Sequence, residues 1–321
     1  MRVIFFGTPE FAVPPLRQLA EGHDVALVVT RPDRAVGRRG QVVSPSVATV
    51  ARELNLDLFQ PPNPNRPSAL ETIASYGAEV LVVVAYGRLL GARLMEVAPR
   101  GGVNAHPSLL PAYRGASPIQ AAIAAGDKET GVSLIRLVEA VDAGPIIANE
   151  TTSIRPHEKA SDVRERLAQI TSDLLARELP RWFRGEIGER VQDERSASLT
   201  RPLERVDAEF DLRRPASELY DRWRAFHPWP GAQVSAGRVT CKLLELTLVP
   251  ENRGTGNVCL RDDLLVIGCG SGSLGVSYIQ PAGRTPMRGS DFARGYTPLL
   301  DLQWGHPFPN SMPPISERSN D

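Results

Sequence analysis

Apolar residues fall into short unbroken runs in the first half of the chain, and amphipathic stretches lie between them. Runs at 2–6, 25–30, 79–85, 103–106, 132–138 and 145–152 are bounded by turn residues and predict buried strands. Helical spacing marks 11–20, 46–54, 68–76, 118–125 and 161–183, where Pro180 predicts a kink or an end. The segment RPDRAVGRRG at 31–40 predicts a loop. Buried strands alternating with helices predict an α/β unit with a mostly parallel sheet covered on both faces. The first strand turns through GTPEFA rather than GxGxxG, so the dinucleotide fingerprint is absent.

Periodicity fades after residue 185. The stretch RGEIGERVQDERSASLTRPLERVD is polar and predicts a linker over 186–207. A helix at 216–226 follows, ending in FHPWPG. Five short alternating segments then lie at 232–235, 239–248, 256–260, 264–269 and 274–280, and turn residues separate them. This spacing predicts a small β-barrel. The domain reading is therefore 1–185, a linker at 186–207, and 208–315, with a Pro/Ser-rich tail.

A length of 321 residues fits about two domains, and 42% apolar residues fill a core without disulfide or metal. Lys+Arg and Asp+Glu both number 37, so a globally basic nucleic-acid binder is not indicated, although a local basic patch remains open. Three cysteines, an odd number with no CxxC, suit reduced thiols in a cytoplasmic protein. The N-terminal apolar run is too short for a signal peptide, and the run at 80–85 is far short of a membrane span. A soluble protein with no obligate protein partner is expected.

Asn104 and His106 are two apart in a predicted strand, so they share a face. PSLLP stops the strand at once and leaves both groups at its C-terminal end, where open parallel sheets bind ligands. Such a pair also suits an ordinary structural hydrogen bond. A carboxylate behind the imidazole would fix its tautomer. Asp142, in a loop between two predicted strands, is one candidate acid and Glu139 is the other. No GxSxG motif supplies a nucleophile, which favours direct transfer between two bound substrates. Arg34, Arg38 and Arg39 crowd one loop with only Asp33 opposing them, the pattern of a phosphate-binding or a solvated loop.

The segments NAHPSLLPAYRGASPI and ETGVSLIRLVEAVDAGPIIA resemble the signature of the 10-formyltetrahydrofolate-dependent formyltransferases. FFGTPEFAVPPL, RPDRAVGRRG, RAFHPWPGA and IQPAGRTPM resemble the branch that formylates methionyl initiator tRNA. The likeness runs from residue 2 to about residue 300. It implies a Rossmann-like catalytic domain and a C-terminal OB-like barrel that contacts tRNA. It implies catalytic positions at Asn104, His106 and Asp142, and a folate-binding turn at Ser108, Leu109, Leu110 and Pro111. It also implies contact between the tRNA acceptor end and Arg34, Arg38 and Arg39, a 10-formyltetrahydrofolate co-substrate, and no metal. Four positions depart from the family pattern: Pro107 stands where Gly is usual, Ala48 and Arg201 replace lysines, and Leu212 replaces a tryptophan. The HPSLLP spelling also suits a formyltransferase acting on a nucleotide-linked amino sugar. A formyl-folate hydrolase could share the three polar groups but would need neither the arginine loop nor the barrel, whereas a non-catalytic tRNA- or folate-binding protein would not need all three polar groups together with the SLLP turn.

Overall fold

The computed structural model describes residues 1–36, 40–305 and 316–318. Seven strands form the first sheet: β1 (Arg2–Gly7), β2 (Asp24–Val29), β3 (Leu58–Phe59), β4 (Val80–Val84), β5 (Gly102–His106), β6 (Glu129–Arg136) and β7 (Ile146–Ser153). Their order is β7-β6-β5-β4-β1-β2-β3. The pairs from β5 through β3 are parallel, and β6 and β7 add an antiparallel edge.

Period two decides which face each residue covers. Val3 and Phe5 of β1 and Val82 and Val84 of β4 pack under Leu16 and Leu19 of α1 (Val13–Gly22) and Val163 and Leu167 of α2 (Ala160–Phe183). Ile4, Phe6, Leu81 and Val83 point the other way and meet Ile73 and Leu94. With both faces covered, VLVVV in β4 is buried at every position, which is why it reads as an unbroken apolar run. Each such side chain contributes about 1.5–3 kcal/mol on burial.

Two local expectations change, and a third segment gains structural detail. Residues 31–40 are not all loop: Arg34–Val36 pairs with Gln41–Val43 as a two-stranded ribbon. Of the two readings for Pro180, an end is ruled out: α2 runs on to Phe183, and the Arg184 amide donates to the Pro180 carbonyl at 3.1 Å. The stretch 186–207 is ordered against the first sheet. Arg190 bridges to Ile146, and Ser198–Thr200 pairs in parallel with Arg114–Gly115 and antiparallel with Ser316–Arg318. Polar side chains that bond to the protein rather than to water leave no apolar period, so the pattern alone read as a spacer.

The second sheet is antiparallel. It comprises β8 (Gln233–Ala236), β9 (Val239–Val249), β10 (Val258–Arg261), β11 (Leu264–Gly268), β12 (Ser273–Pro281) and β13 (Met287–Arg288). The order is β8-β9-β12-β11-β10, with β13 on β12. Among the described residues no ladder joins β8 to β10, so the sheet is a half-barrel curled around its own core. Leu212 fills that core. The helix α3 (Ala216–Phe226) serves both units: Leu219, Tyr220 and Trp223 enter the second core, whereas Ala225 and Phe226 enter the first. Among the described residues no helix is long and apolar enough to cross a membrane.

Candidate active site

β5 is held between β4 in parallel and β6 in antiparallel register, with Asn104 beside Val83 and His106 beside Ser133. Alternation points Asn104 and His106 to one side, and a single carboxylate meets both. Asn104 Nδ2 donates to Asp142 Oδ1 at 3.0 Å. His106 Nδ1 lies 3.4 Å from Asp142 Oδ2, with the two side chains only 5% and 14% exposed. Glu139, the other candidate acid, is exposed. His106 Nε2 faces the Tyr113 carbonyl oxygen at 2.9 Å. Both ring nitrogens thus face oxygen acceptors, and a neutral imidazole donates to only one of them.

Asp142 and Tyr113 have φ of 51° and 62°, in the left-handed region. A non-glycine residue there costs about 1–3 kcal/mol and persists only where its surroundings over-determine it. The surroundings of Asp142 are specific. The Gly115 amide donates to its Oδ2 at 2.9 Å, and Gln192 Nε2 donates to its carbonyl at 2.8 Å. Gln192 also donates to the Gly144 carbonyl at 2.7 Å. Buried Arg114 in turn donates to Gln192 Oε1 from Nε at 3.0 Å and from Nη2 at 2.8 Å, and it pairs with Glu194 at 2.8 Å. Its guanidinium holds the Glu194 carboxyl below the usual carboxylate range.

The turn after β5 is internally bonded. Ser108 Oγ donates to the Ala112 carbonyl at 2.7 Å, and Ser133 Oγ links the Ser108 carbonyl to the Leu110 amide. Ser108 and Leu110 are buried, the latter against Ile135 and Ile146, whereas Leu109 and Pro111 are partly exposed. The Tyr113 amide donates to Ser198 Oγ at 2.8 Å, and Thr200 Oγ1 donates to the Arg114 carbonyl at 3.0 Å.

Sequence reasoning missed Tyr113, Arg114, Gly115, Gln192, Ser198 and Thr200. Arg114 and Gln192 are 78 residues apart, and neither sits in a periodic segment, so no local signal joins them. Arg34 is exposed on its ribbon; Arg38 and Arg39 lie outside the described residues. Asp33 is engaged elsewhere: Gln60 and Ser44 donate to it and lower its pKa.

The geometry offers one amide hydrogen of Asn104 not used by Asp142, an imidazole braced at both nitrogens, and a carboxylate ordered by the Gly115 amide. Among the described residues no hydroxyl or thiol is hydrogen-bonded to His106 or Asp142. A formyl transferase family model matches residues 1–179, and a formyl transferase C-terminal domain model matches 202–297. The methionyl-tRNA formyltransferase of Myxococcus xanthus is 39% identical over 299 residues, which is 92% of this chain and 95% of that protein. The enzyme of the same name from Herpetosiphon aurantiacus is 36% identical over 306 residues, covering 94% and 100%. Among solved structures, an N-formyltransferase from Helicobacter canadensis in complex with folinic acid and dTDP-3-aminofucose superposes with a TM-score of 0.67. Its identity is 18%, covering 85% of this chain and 98% of that one, so the likeness speaks to fold alone. Two family models in series and relatives matched nearly end to end make this chain a member of the formyl transferase family.

Proposed function

We propose that the protein transfers the formyl group of 10-formyltetrahydrofolate to the amino group of methionyl initiator tRNA, giving N-formylmethionyl-tRNA in the cytoplasm. The observation that carries this reading is the convergence of Asn104, His106 and Asp142 at the C-terminal end of β5, in a chain whose relatives bear that activity in their names. In this reading residues 1–185 hold the chemistry, 186–207 connect, and 208–315 form an OB-like barrel that contacts tRNA.

The folate donor supplies an activated formyl carbon. The turn 108–111 would receive it through its backbone and through Leu109 and Pro111, because the Ser108 hydroxyl is already committed. Asn104 donates its remaining amide hydrogen to the formyl oxygen as negative charge develops there. One such donor is worth roughly 2.7–4 kcal/mol. His106 stands beside it, braced by Asp142 and the Tyr113 carbonyl. A carbon–nitrogen bond forms to the incoming amine, and the bond to the donor nitrogen breaks. The amine gives up one proton and the donor nitrogen gains one. Movement of that proton through His106 Nε2 requires the Tyr113 hydrogen bond to open; general acid–base help of this kind is worth about 10²–10⁴ in rate.

Single-turnover formylation of methionyl initiator tRNA tests the assignment. Asn104→Ala and His106→Ala should each lower the rate by at least about 10² with little change in tRNA affinity. Rates near the parent value in both variants would remove the site from this reaction. Nucleotide-linked amino sugars run in parallel identify a sugar-directed enzyme if they, and not the tRNA, accept the group.

A further inference from the structure

We infer that Gln192, locked by Arg114, is a positioning residue for Asp142. The inference rests on the catalytic reading above and adds a residue from a segment with no other assigned role. Three observations carry it. Gln192 is 5% exposed, and its amide nitrogen donates to two peptide carbonyls, those of Asp142 and Gly144. These carbonyls flank the bend on which Asp142 adopts φ of 51°. The orientation of the Gln192 amide is not free, because its oxygen accepts two hydrogen bonds from Arg114, which is itself 6% exposed.

Arg114 donates from a fixed fork, so it admits only an oxygen at that place and turns the nitrogen toward the acid loop. The chain of contacts is Arg114 to Gln192 to the Asp142 backbone to the Asp142 carboxylate, and from there to Asn104 and His106. Gly115, the neighbour of Arg114, closes the circuit by donating to the same carboxylate. Backbone and side chain of Asp142 are therefore both set from the Arg114–Gly115 segment. Gln192 touches no reacting atom. Without it the left-handed bend loses two donors, and the carboxylate leaves the line between the amide and the ring. Displacement of a catalytic group by about 1 Å can cost on the order of 10² in rate.

The experiment compares the parent protein with Gln192→Met, which keeps length and removes both donors, and with Gln192→Glu, which sets a carboxylate oxygen against the two carbonyls. Asp142→Asn is run in the same assay. Expected for Gln192→Met is a fall in kcat of about 10–100-fold, KM for tRNA and folate within about twofold, and displaced ¹⁵N resonances of the His106 ring in a protein with native circular dichroism. A purely structural role would lower the melting temperature and leave kcat per folded molecule and the ring resonances unchanged; that result overturns the inference. Failure of both Gln192 variants to fold overturns it as well, because Gln192 is then a folding determinant. If Asp142→Asn retains full kcat, the catalytic reading itself falls. If Asp142→Asn collapses and the folded Gln192 variants do not, only the positioning role is lost.

Discussion

Arg201 shows how a single departure from a family pattern acquires a structural meaning. Its guanidinium meets the almost fully buried carboxylate of Asp207, with Nη2 at 2.5 Å and Nη1 at 2.9 Å, and the Glu204 amide donates to the same group at 2.7 Å. Burial pushes the Asp207 carboxyl up, and the Arg201 and Glu204 donors together lower it by more, to below the usual carboxylate range. A carboxyl depressed in the folded state contributes stability that is present above its unfolded value, near 4, and is lost as pH falls through the folded value. Asp207→Asn should therefore cost about 2–3 kcal/mol at neutral pH. The gap between parent and variant should close as urea titrations move from pH 7 towards pH 3. A gap that is constant with pH would show that the charge is not what the pair contributes. Arginine suits this place because its planar fork reaches both carboxylate oxygens, which a lysine ammonium cannot match.

At the level of elements, the strap Ser198–Thr200 is the piece that turns a sheet edge into a site. It pairs with Arg114–Gly115, and that pairing aims the Gly115 amide at Asp142. Gly115 has φ of 105°, and a Cβ there would stand 2.4 Å from the Thr200 carbonyl oxygen. Gly115→Ala should thus combine backbone strain of about 1–3 kcal/mol with a backbone clash, lower the melting temperature, and depress formyl transfer beyond the loss of folded protein. Activity proportional to folded fraction alone would separate the strap from the chemistry. Six of the seven strands of the first sheet were readable from apolar runs, with ends within a few residues; the two-residue β3 (Leu58–Phe59) was not. The strap was not, because its contacts are polar and its partner lies more than 80 residues upstream.

For the whole molecule, net charge is zero, so any attraction for a polyanion has to come from local arrangement. Arg34 is exposed on its ribbon, and Asp33 is occupied by Gln60 and Ser44 rather than opposing it. Replacing Arg34, Arg38 and Arg39 by Ala should weaken tRNA binding and flatten the dependence of log Kd on log salt by about 2–3, the value for three phosphate contacts. An unchanged slope in a filter-binding titration would identify the loop as merely solvated. Sequence by itself determined the two-unit order, the buried strands, and the placing of Asn104 and His106 on one side of β5, because period and burial are local properties of a pleated chain. Resemblance of short motifs singled out Asp142. Only the tertiary structure decided between Asp142 and Glu139 on geometry, gave the second unit its antiparallel half-barrel sheet, and recruited Arg114, Gln192 and Thr200. Those outcomes depend on contacts between residues far apart in the chain, for which no local pattern carries a signal.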